Sequence, residues 1–280
     1  MIASSFPRET LLHVVKTMPA APQILARLGE LLLDLNSDLD AVTSLLRCDA
    51  ALTTRILRIA NSVAYNTGTP FASLEQAMAR VGFSEVYRLT GFAATGQLAD
   101  RRLVLYGISA AQLRENSLLT ALVMEALAEA ADLDPRAAYT AGLLRSTGQV
   151  ALDRLTRDPA YSGSYSSANC GPLAEWETAF AGLNNCEAAA FILSEWRFPP
   201  DTVEAIRNHY APRAGSPPLA SLLNLAAGAV ERSNYGLPGE LHYWDPLSEK
   251  FATAGIDEQD LEDATRRALE AFGPVRAALL

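Results

Sequence analysis

Recurring helix start signals are the feature that most constrains what this chain can fold into. Two capping boxes, Ser73-Leu74-Glu75-Gln76 and Ser109-Ala110-Ala111-Gln112, each place a hydroxyl at a helix start and an amide three residues later. Asp134 followed by Pro135 is a third start signal. The alternation of apolar and polar residues that marks strands is almost absent. The sequence therefore predicts an all-α fold of many helices joined by short loops.

The longest predicted helix begins at Ser109. Apolar residues surround it on most sides, a pattern that is typical of a central buried helix. The next helix begins at Asp134 and is expected to end at Gly148, a natural stop. A further capping box is expected at Asp201-Thr202-Val203-Glu204. Residues 234–246 contain several glycines and prolines, which predict a long loop.

Length, charge and the start of the chain narrow the class of protein. With 280 residues, 49% of them hydrophobic, the chain can bury a sizeable core. It has 32 acidic and 23 basic residues, a net charge of −9 and no basic run, which argues against direct nucleic-acid binding. Residues 1–8 have neither a basic nor an apolar segment, and no apolar stretch is long enough to span a membrane. We therefore expect a cytoplasmic protein without a membrane segment.

Histidines are few and badly spaced for metal binding. A catalytic metal needs roughly three or more converging ligands. The three histidines, His13, His209 and His242, form no His-x-x-x-His pair, and none is followed by aspartate. The sequence thus predicts no metal and no cofactor.

Arg145-Ser146 follows directly after an almost uncharged run in the predicted helix from Asp134. A guanidinium that is buried without a partner is too costly. Arg145 must therefore reach a carboxylate, a cluster of carbonyls, a bound anion or solvent in a cleft. In the simplest interpretation it extends to water at the helix end.

Residues 49–65, Asp-Ala-Ala-Leu-Thr-Thr-Arg-Ile-Leu-Arg-Ile-Ala-Asn-Ser-Val-Ala-Tyr, resemble the signature of HDOD domains, the HD-related output domains of bacterial signalling proteins. Ser73-Leu74-Glu75-Gln76-Ala77 and Val81-Gly82 continue the resemblance, and Ala141-Gly142-Leu143-Leu144 supports it further along the chain. The resemblance implies an all-helical HDOD fold related to the metal-dependent HD phosphohydrolases.

The same resemblance suggests how the chain is divided. It covers about Thr10 to the C-terminus and implies a single HDOD domain over residues 10–280. An N-terminal helical lobe, residues 10–108, is expected to pack on a degenerate HD-like helical lobe, residues 109–280.

Histidines and aspartates hold the metals in HD phosphohydrolases, and the resemblance shows what stands at those positions here. Asn116 takes the place of the first histidine, and Arg145-Ser146 takes the place of the His-Asp dyad. Asn185 takes the place of the next histidine, and His209 alone keeps its type. These five residues are the candidate lining of a degenerate site, with no catalytic residue among them.

Two further observations bear on the function that the resemblance implies. The late metal-binding aspartate is expected near residues 224–228, which contain no carboxylate. Arg145 would place a fixed positive charge where a metal cation binds. We therefore favour a non-enzymatic signal-transduction output module that binds signalling proteins.

Two alternatives stay open. One is a residual metal-dependent phosphohydrolase. The other is a domain that senses a nucleotide or another anion in a positive cleft beside Arg145. The second alternative loses its basis if Arg145 is paired internally with a carboxylate.

Overall fold

The computed structural model describes residues 8–32, 39–62, 65, 68–156, 162–213 and 215–279. Within these ranges the chain is helical, and the nearest approach to a sheet is one isolated bridge between Leu103 and Ile108. The prediction of an all-α fold is confirmed. None of the helices in the described ranges is long and apolar enough to cross a membrane.

The helices fall into two compact units. The smaller unit contains residues 19–98 and the chain end from 271, and the larger unit contains residues 8–18 and 99–270. The helices of residues 19–98 are α2 (Ala21–Leu31), α3 (Leu39–Arg47), α4 (Ala50–Ala60), α5 (Leu74–Val81) and α6 (Phe83–Leu98). The helices that lie in the larger unit, the last one only as far as Glu270, are α1 (Arg8–Thr17), α7 (Ala110–Ala130), α8 (Pro135–Leu144), α9 (Thr147–Leu155), α10 (Leu173–Ala181), α11 (Asn185–Glu195), α12 (Pro200–Asn208), α13 (Pro218–Val230), α14 (Ser248–Ala254) and α15 (Glu258–Leu279).

These units divide the chain differently from the predicted lobes 10–108 and 109–280. The change between units falls at Leu98, and α1 belongs to the larger unit. In that unit the Arg154 side chain of α9 donates a hydrogen bond of 2.8 Å to the carbonyl of Thr17 at the end of α1. The division into two lobes at residue 108 stays a prediction.

In the smaller unit, local hydrogen bonds set the ends of α4 and α5. Asp49 caps α4 by accepting a 2.8 Å hydrogen bond from the backbone N–H of Leu52. Ser73 caps α5 as predicted, but Gln76 Oε1 accepts from the N–H of Ala72 and not of Ser73, so the predicted capping box is formed only in part. The Asn61 side chain exchanges two hydrogen bonds, of 2.7 and 2.9 Å, with the backbone of Phe71. This exchange fixes the connection that follows α4.

The larger unit is built around α7. Its capping box is formed as predicted: Ser109 Oγ accepts from the Gln112 N–H at 3.1 Å, and Gln112 Oε1 accepts from the Ser109 N–H at 2.9 Å. Most of α7 is buried. Helix α8 approaches it so closely that a Cβ at Gly142 would lie 2.7 Å from the backbone of Ala121. The absence of a side chain at Gly142 permits this contact.

Two predicted helix boundaries are wrong. Helix α8 ends at Leu144, and Gly148 lies in the first turn of α9. A Cβ at Gly148 would overlap with the backbone carbonyl of Asn185, so the glycine serves the packing of α9 on α11 and does not stop a helix. The predicted capping box at Asp201–Glu204 is absent, because α12 begins at Pro200 with Pro199 as its N-cap residue and no side-chain cap.

The segment between α13 and α14 follows the predicted loop only in part. It contains a π-helical turn, Glu231–Tyr235, and a single 3-10 turn, Leu241–Tyr243. Residues 236–240 between these turns are irregular. This segment carries a residue that proves central to the candidate site.

We expect Gly148→Ala to lower the free energy of unfolding by about 1 to 3 kcal/mol, because the added methyl group overlaps with the α11 backbone. Urea unfolding followed by circular dichroism measures the effect. Gly273→Ala is a matched control in α15, where a Cβ meets nothing within 4 Å, and it should be neutral or stabilising by up to about 1 kcal/mol. Equal effects of the two substitutions would contradict the packing argument.

Candidate functional site

Arg145 lies at the C-terminal end of α8 and is 1% exposed. Its guanidinium makes a bidentate ion pair with Glu240, with Nη1 3.1 Å from Oε1 and Nη2 2.9 Å from Oε2. The cation also lies 5.6 Å from the centre of the Trp244 ring, a favourable distance for a cation–π contact. Of the partners that the sequence allowed for Arg145, the structure therefore shows a carboxylate inside the protein. The interpretation in which Arg145 extends to water is wrong.

Glu240 is as deeply buried as its partner, at 1% exposure. It follows Gly239, whose φ of +88° lies in the region that favours glycine. Besides Arg145, its carboxylate accepts hydrogen bonds from Tyr210 Oη at 2.8 Å and Gln149 Nε2 at 3.3 Å. Charge-assisted hydrogen bonds of this kind offset the cost of removing both ions from water.

Asn116, on α7, joins the ion pair from a third side. Its Oδ1 accepts a 2.7 Å hydrogen bond from Arg145 Nη2. Its Nδ2 donates to the carbonyl of Tyr235, also at 2.7 Å. Asn116 therefore connects Arg145 to the end of the π-helical turn.

Asn185 connects the ion pair to a second buried carboxylate, Glu177. Its Nδ2 lies 3.1 Å from Tyr210 Oη and 2.8 Å from Glu177 Oε2, which also accepts from the Asn185 backbone N–H. The other oxygen of Glu177 accepts a 2.7 Å hydrogen bond from Tyr106 Oη. Burial raises the pKa of Glu177 to about 7 in spite of these donors. We refer to these eight residues as the buried network: Tyr106, Asn116, Arg145, Gln149, Glu177, Asn185, Tyr210 and Glu240.

His209 lies beside the buried network without a direct hydrogen bond to Arg145 or Glu240. Its Nδ1 is 2.7 Å from the carbonyl of Ile206, so this nitrogen carries the proton. Burial, and then the charge of Arg145, lower the pKa of His209 to about 3. Its Nε2 has no hydrogen-bond partner among the residues the structure describes. His209 is therefore a neutral core histidine.

Cys186 Sγ lies 3.7 Å from Nδ1 of His209, an arrangement that resembles a nucleophile with its base. Burial raises the pKa of the Cys186 thiol well above its usual value. A reactive cysteine needs a depressed pKa and access to substrate. Both side chains are buried and neutral, so this pair does not form an activated nucleophile.

Ser146, like His209, is a candidate whose side chain makes no hydrogen bond to the buried network. It is 3% exposed and sits between α8 and α9. Its hydroxyl has no hydrogen-bond partner in the described part of the chain. Of the five candidates, Asn116, Arg145 and Asn185 belong to one network, and His209 packs against it through the Tyr210 ring at 4.6 Å.

The stretch near residues 224–228, where the resemblance expects a metal-binding aspartate, contains an amide paired with a lysine. Asn224 Nδ2 donates to the carbonyls of His209 and Tyr243 at 2.7 and 3.0 Å. Asn224 Oδ1 accepts from Lys250 Nζ at 2.8 Å. An ammonium group bound at this point disfavours a metal cation nearby.

The residues present do not fit the metal centre that the resemblance implies. Among the described residues, no group of three or more His, Cys, Asp or Glu side chains could hold a metal ion. Two of the side chains at the expected ligand positions are neutral amides, and Arg145 is a cation. Amides and guanidinium groups are poor replacements for the imidazole and carboxylate ligands of catalytic metals.

Sequence reasoning missed five residues of the network: Tyr106, Gln149, Tyr210 and the two carboxylates, Glu177 and Glu240. Glu240 lies in the segment predicted as a loop, 95 residues from Arg145. The available signal was indirect: an arginine after a buried run needs a counter-charge, but the chain has 32 acidic residues that could supply it. Glu177, on α10, had no signal of its own in the sequence.

The helical architecture and the replaced ligand positions together define an HD-like helical domain, in which the described residues form no recognisable metal centre. The HDOD domain family matches residues 18–212, more than half of the chain. This chain therefore belongs to the HDOD family. No curated protein matches it.

Solved structures support the same fold. An HDOD domain protein of unknown function from Geobacter sulfurreducens is 20% identical, with a TM-score of 0.68, over 97% of each chain. A proposed phosphohydrolase from Shewanella amazonensis SB2B is 23% identical, with a TM-score of 0.67, over 97% of this chain and 98% of that one. A proposed signal transduction protein from Marinobacter aquaeolei VT8 is 18% identical, with a TM-score of 0.68, over 97% of this chain and 64% of that one.

We expect Glu240→Leu to lower the free energy of unfolding by about 3 to 5 kcal/mol, because it leaves Arg145 buried without a counter-charge. The double variant Arg145→Met/Glu240→Leu should lose less stability than Glu240→Leu alone, since both charges are removed together. Urea unfolding of the single and double variants measures the coupling. Glu204→Leu, which breaks the exposed pair with Arg207, should cost less than about 1 kcal/mol. A double variant as unstable as the sum of the single variants would contradict this account.

Glu177 should make stability depend on pH. Its pKa is about 7 in the folded protein against an ordinary value of 4.5, so between these values the folded state binds more protons than the unfolded state. The free energy of unfolding should therefore fall by roughly 3 kcal/mol as the pH rises from 4.5 to above 7. Glu177→Gln mimics the protonated acid, so its free energy of unfolding should not fall in this way as the pH rises. The measurement is the difference in unfolding free energy between wild type and Glu177→Gln across the pH range, and a constant difference would refute the prediction.

Proposed function

We propose that this chain is a non-enzymatic output module of bacterial signal transduction, which acts in the cytoplasm by binding other signalling proteins. The observation that carries the proposal is the buried ion pair between Arg145 and Glu240. The resemblance to HD phosphohydrolases expects a metal-binding His-Asp dyad at Arg145-Ser146. At this position the protein has a guanidinium that is paired with an internal carboxylate. This pairing supports a function that does not require a metal.

The burial of the candidate residues supports the same proposal. Asn116, Arg145, Asn185, His209 and Glu240 are each at most 1% exposed. A hydrolase site has to admit a phosphate ester and a water molecule to its reacting groups. Asn116, Arg145 and Glu240 are joined by hydrogen bonds inside the unit. Asn185 joins them through Tyr210, and His209 packs on the Tyr210 ring. This internal bonding favours a structural role for these side chains.

Similar proteins support a signalling role in part. This chain belongs to the HDOD family, and the resemblance described above implies that HDOD domains are output domains of bacterial signalling proteins. The Marinobacter aquaeolei structure is described as a proposed signal transduction protein. Signalling proteins of the same cell are therefore the class of partner that we propose.

A residual phosphohydrolase is the second candidate. Two structures of similar fold from Shewanella amazonensis are described as proposed phosphohydrolases, one of them metal-dependent. The replaced ligands at Asn116, Arg145 and Asn185 count against this activity here. The anion-sensing alternative has lost its basis, because Glu240 already neutralises Arg145.

We expect no hydrolysis of bis-p-nitrophenyl phosphate or of a cyclic dinucleotide by the protein incubated with Mn²⁺, Fe²⁺ or Ni²⁺. The same ions should leave the thermal unfolding midpoint unchanged, since a metal stabilises a folded protein only by binding to it. Protein treated with a chelator is the control for both measurements. Metal-dependent turnover that disappears in Asn185→Ala and His209→Ala would establish the phosphohydrolase and overturn the proposal.

A further inference from the structure

A groove of about 750 Å³ runs along α15 in the larger unit. Its apolar lining includes Phe251 of α14, Pro246 of the preceding segment, and Leu261 and Leu269 of α15. Leu269 is 37% exposed, and Leu247, next to Pro246, is 48% exposed. An apolar groove rimmed by charged side chains is typical of an interaction site. We call this feature the α15 groove.

One face of α15 forms a wall of the groove. The lining residues Glu258, Leu261, Glu262, Thr265 and Leu269 recur at the spacing of a single helical face. At a rise of 1.5 Å per residue, this face is about 17 Å long, or about three turns of helix. A second helix of similar length, laid into the groove, would match this wall.

Two carboxylates on this wall are without an ion pair among the described residues. Glu258 and Glu262 are exposed and make no ion pair with another described residue. Arg266, by contrast, is occupied by Asp263 at 3.0 Å and by Glu270 at 3.4 Å. Two free carboxylates therefore stand four residues apart on the edge of an apolar groove.

The π-helical turn adds one opposite charge. Arg232 is exposed, lines the groove and makes no ion pair with a described residue. A ligand of the groove thus meets two unpaired carboxylates on α15, the paired Arg266 and Glu270 beside them, and one guanidinium from a different element. This arrangement favours a partner with basic residues on one edge and an acidic group or a C-terminal carboxylate elsewhere.

We infer that the α15 groove binds one amphipathic helix of a partner protein. The helix would place its apolar side chains against Phe251 and Leu269, and two basic residues three or four positions apart against Glu258 and Glu262. This inference rests on the proposed function and deepens it by naming the surface and the kind of partner. A second copy of this chain is a poorer occupant, because symmetric pairing of two grooves brings their acidic edges together.

The test uses a labelled helical peptide of about four turns, with leucines at i, i+3 and i+7 and lysines along one edge. Fluorescence anisotropy with the full chain measures its affinity. We expect Glu258→Lys/Glu262→Lys to weaken binding of this peptide by about tenfold, since two favourable charge pairs become repulsive. The same variant should bind more tightly than wild type to a peptide with glutamates in place of the lysines.

Glu175→Lys is the matched control. Glu175 is an exposed glutamate in the first turn of α10, as Glu258 is in α15, but it lies outside the groove. This control should leave affinity for the lysine peptide within about twofold. Leu269→Asp should weaken both peptides, with circular dichroism to verify that the variant is folded.

Three results would overturn the inference. The first is that the lysine peptide does not bind, and the second is that Glu258→Lys/Glu262→Lys leaves its affinity unchanged. The third is that the chain self-associates and Leu269→Asp abolishes this association, which would make the groove a contact between copies of the chain. Each of these is distinct from failure of the proposed function, which would appear as metal-dependent turnover. A chain without turnover and without peptide binding would retain the non-enzymatic proposal and reject the groove.

Discussion

The burial of Arg145 is the constraint on which the larger unit depends. Removing a guanidinium from water costs several kcal/mol, so the fold has to supply a partner for its charge and for its N–H groups. Glu240 supplies the counter-charge and Asn116 a neutral acceptor. Tyr210 and Gln149 then donate to Glu240. These partners come from different parts of the chain, so the hydrogen bonds around one ion pair hold α7, α9, the residues after α12 and the segment before α14 to α8.

Local chemistry made most of the fold predictable, and tertiary contacts account for the errors. The caps at Ser109 and Asp134 act within one turn of the chain, and both helices begin where the sequence predicts. Gly148 was misread because a glycine that ends a helix and a glycine that lets two helices approach look alike in sequence. The close contact between Gly148 and the carbonyl of Asn185 depends on a residue far along the chain.

The residues of the candidate site could be predicted where the family resemblance identified their positions. They could not be predicted where they depended on pairing between residues far apart in the chain. Asn116, Arg145 and Asn185 do lie in one network. They do not line the open positive cleft of the anion-sensing alternative, because Glu240 pairs with Arg145. Pairing between a specific arginine and a specific glutamate follows from the path of the backbone, and neither composition nor periodicity contains that path.

The position of Glu240 has a consequence for where this domain ends. The family match stops at residue 212, yet the counter-charge of Arg145 and the aromatic ring over it, Trp244, both lie beyond that point. A fragment cut at the family boundary would keep the buried cation and discard the anion that compensates it. The segment that the family model matches and the segment that contains the whole buried network are thus different lengths of this chain, and only the longer one carries the counter-ion of Arg145.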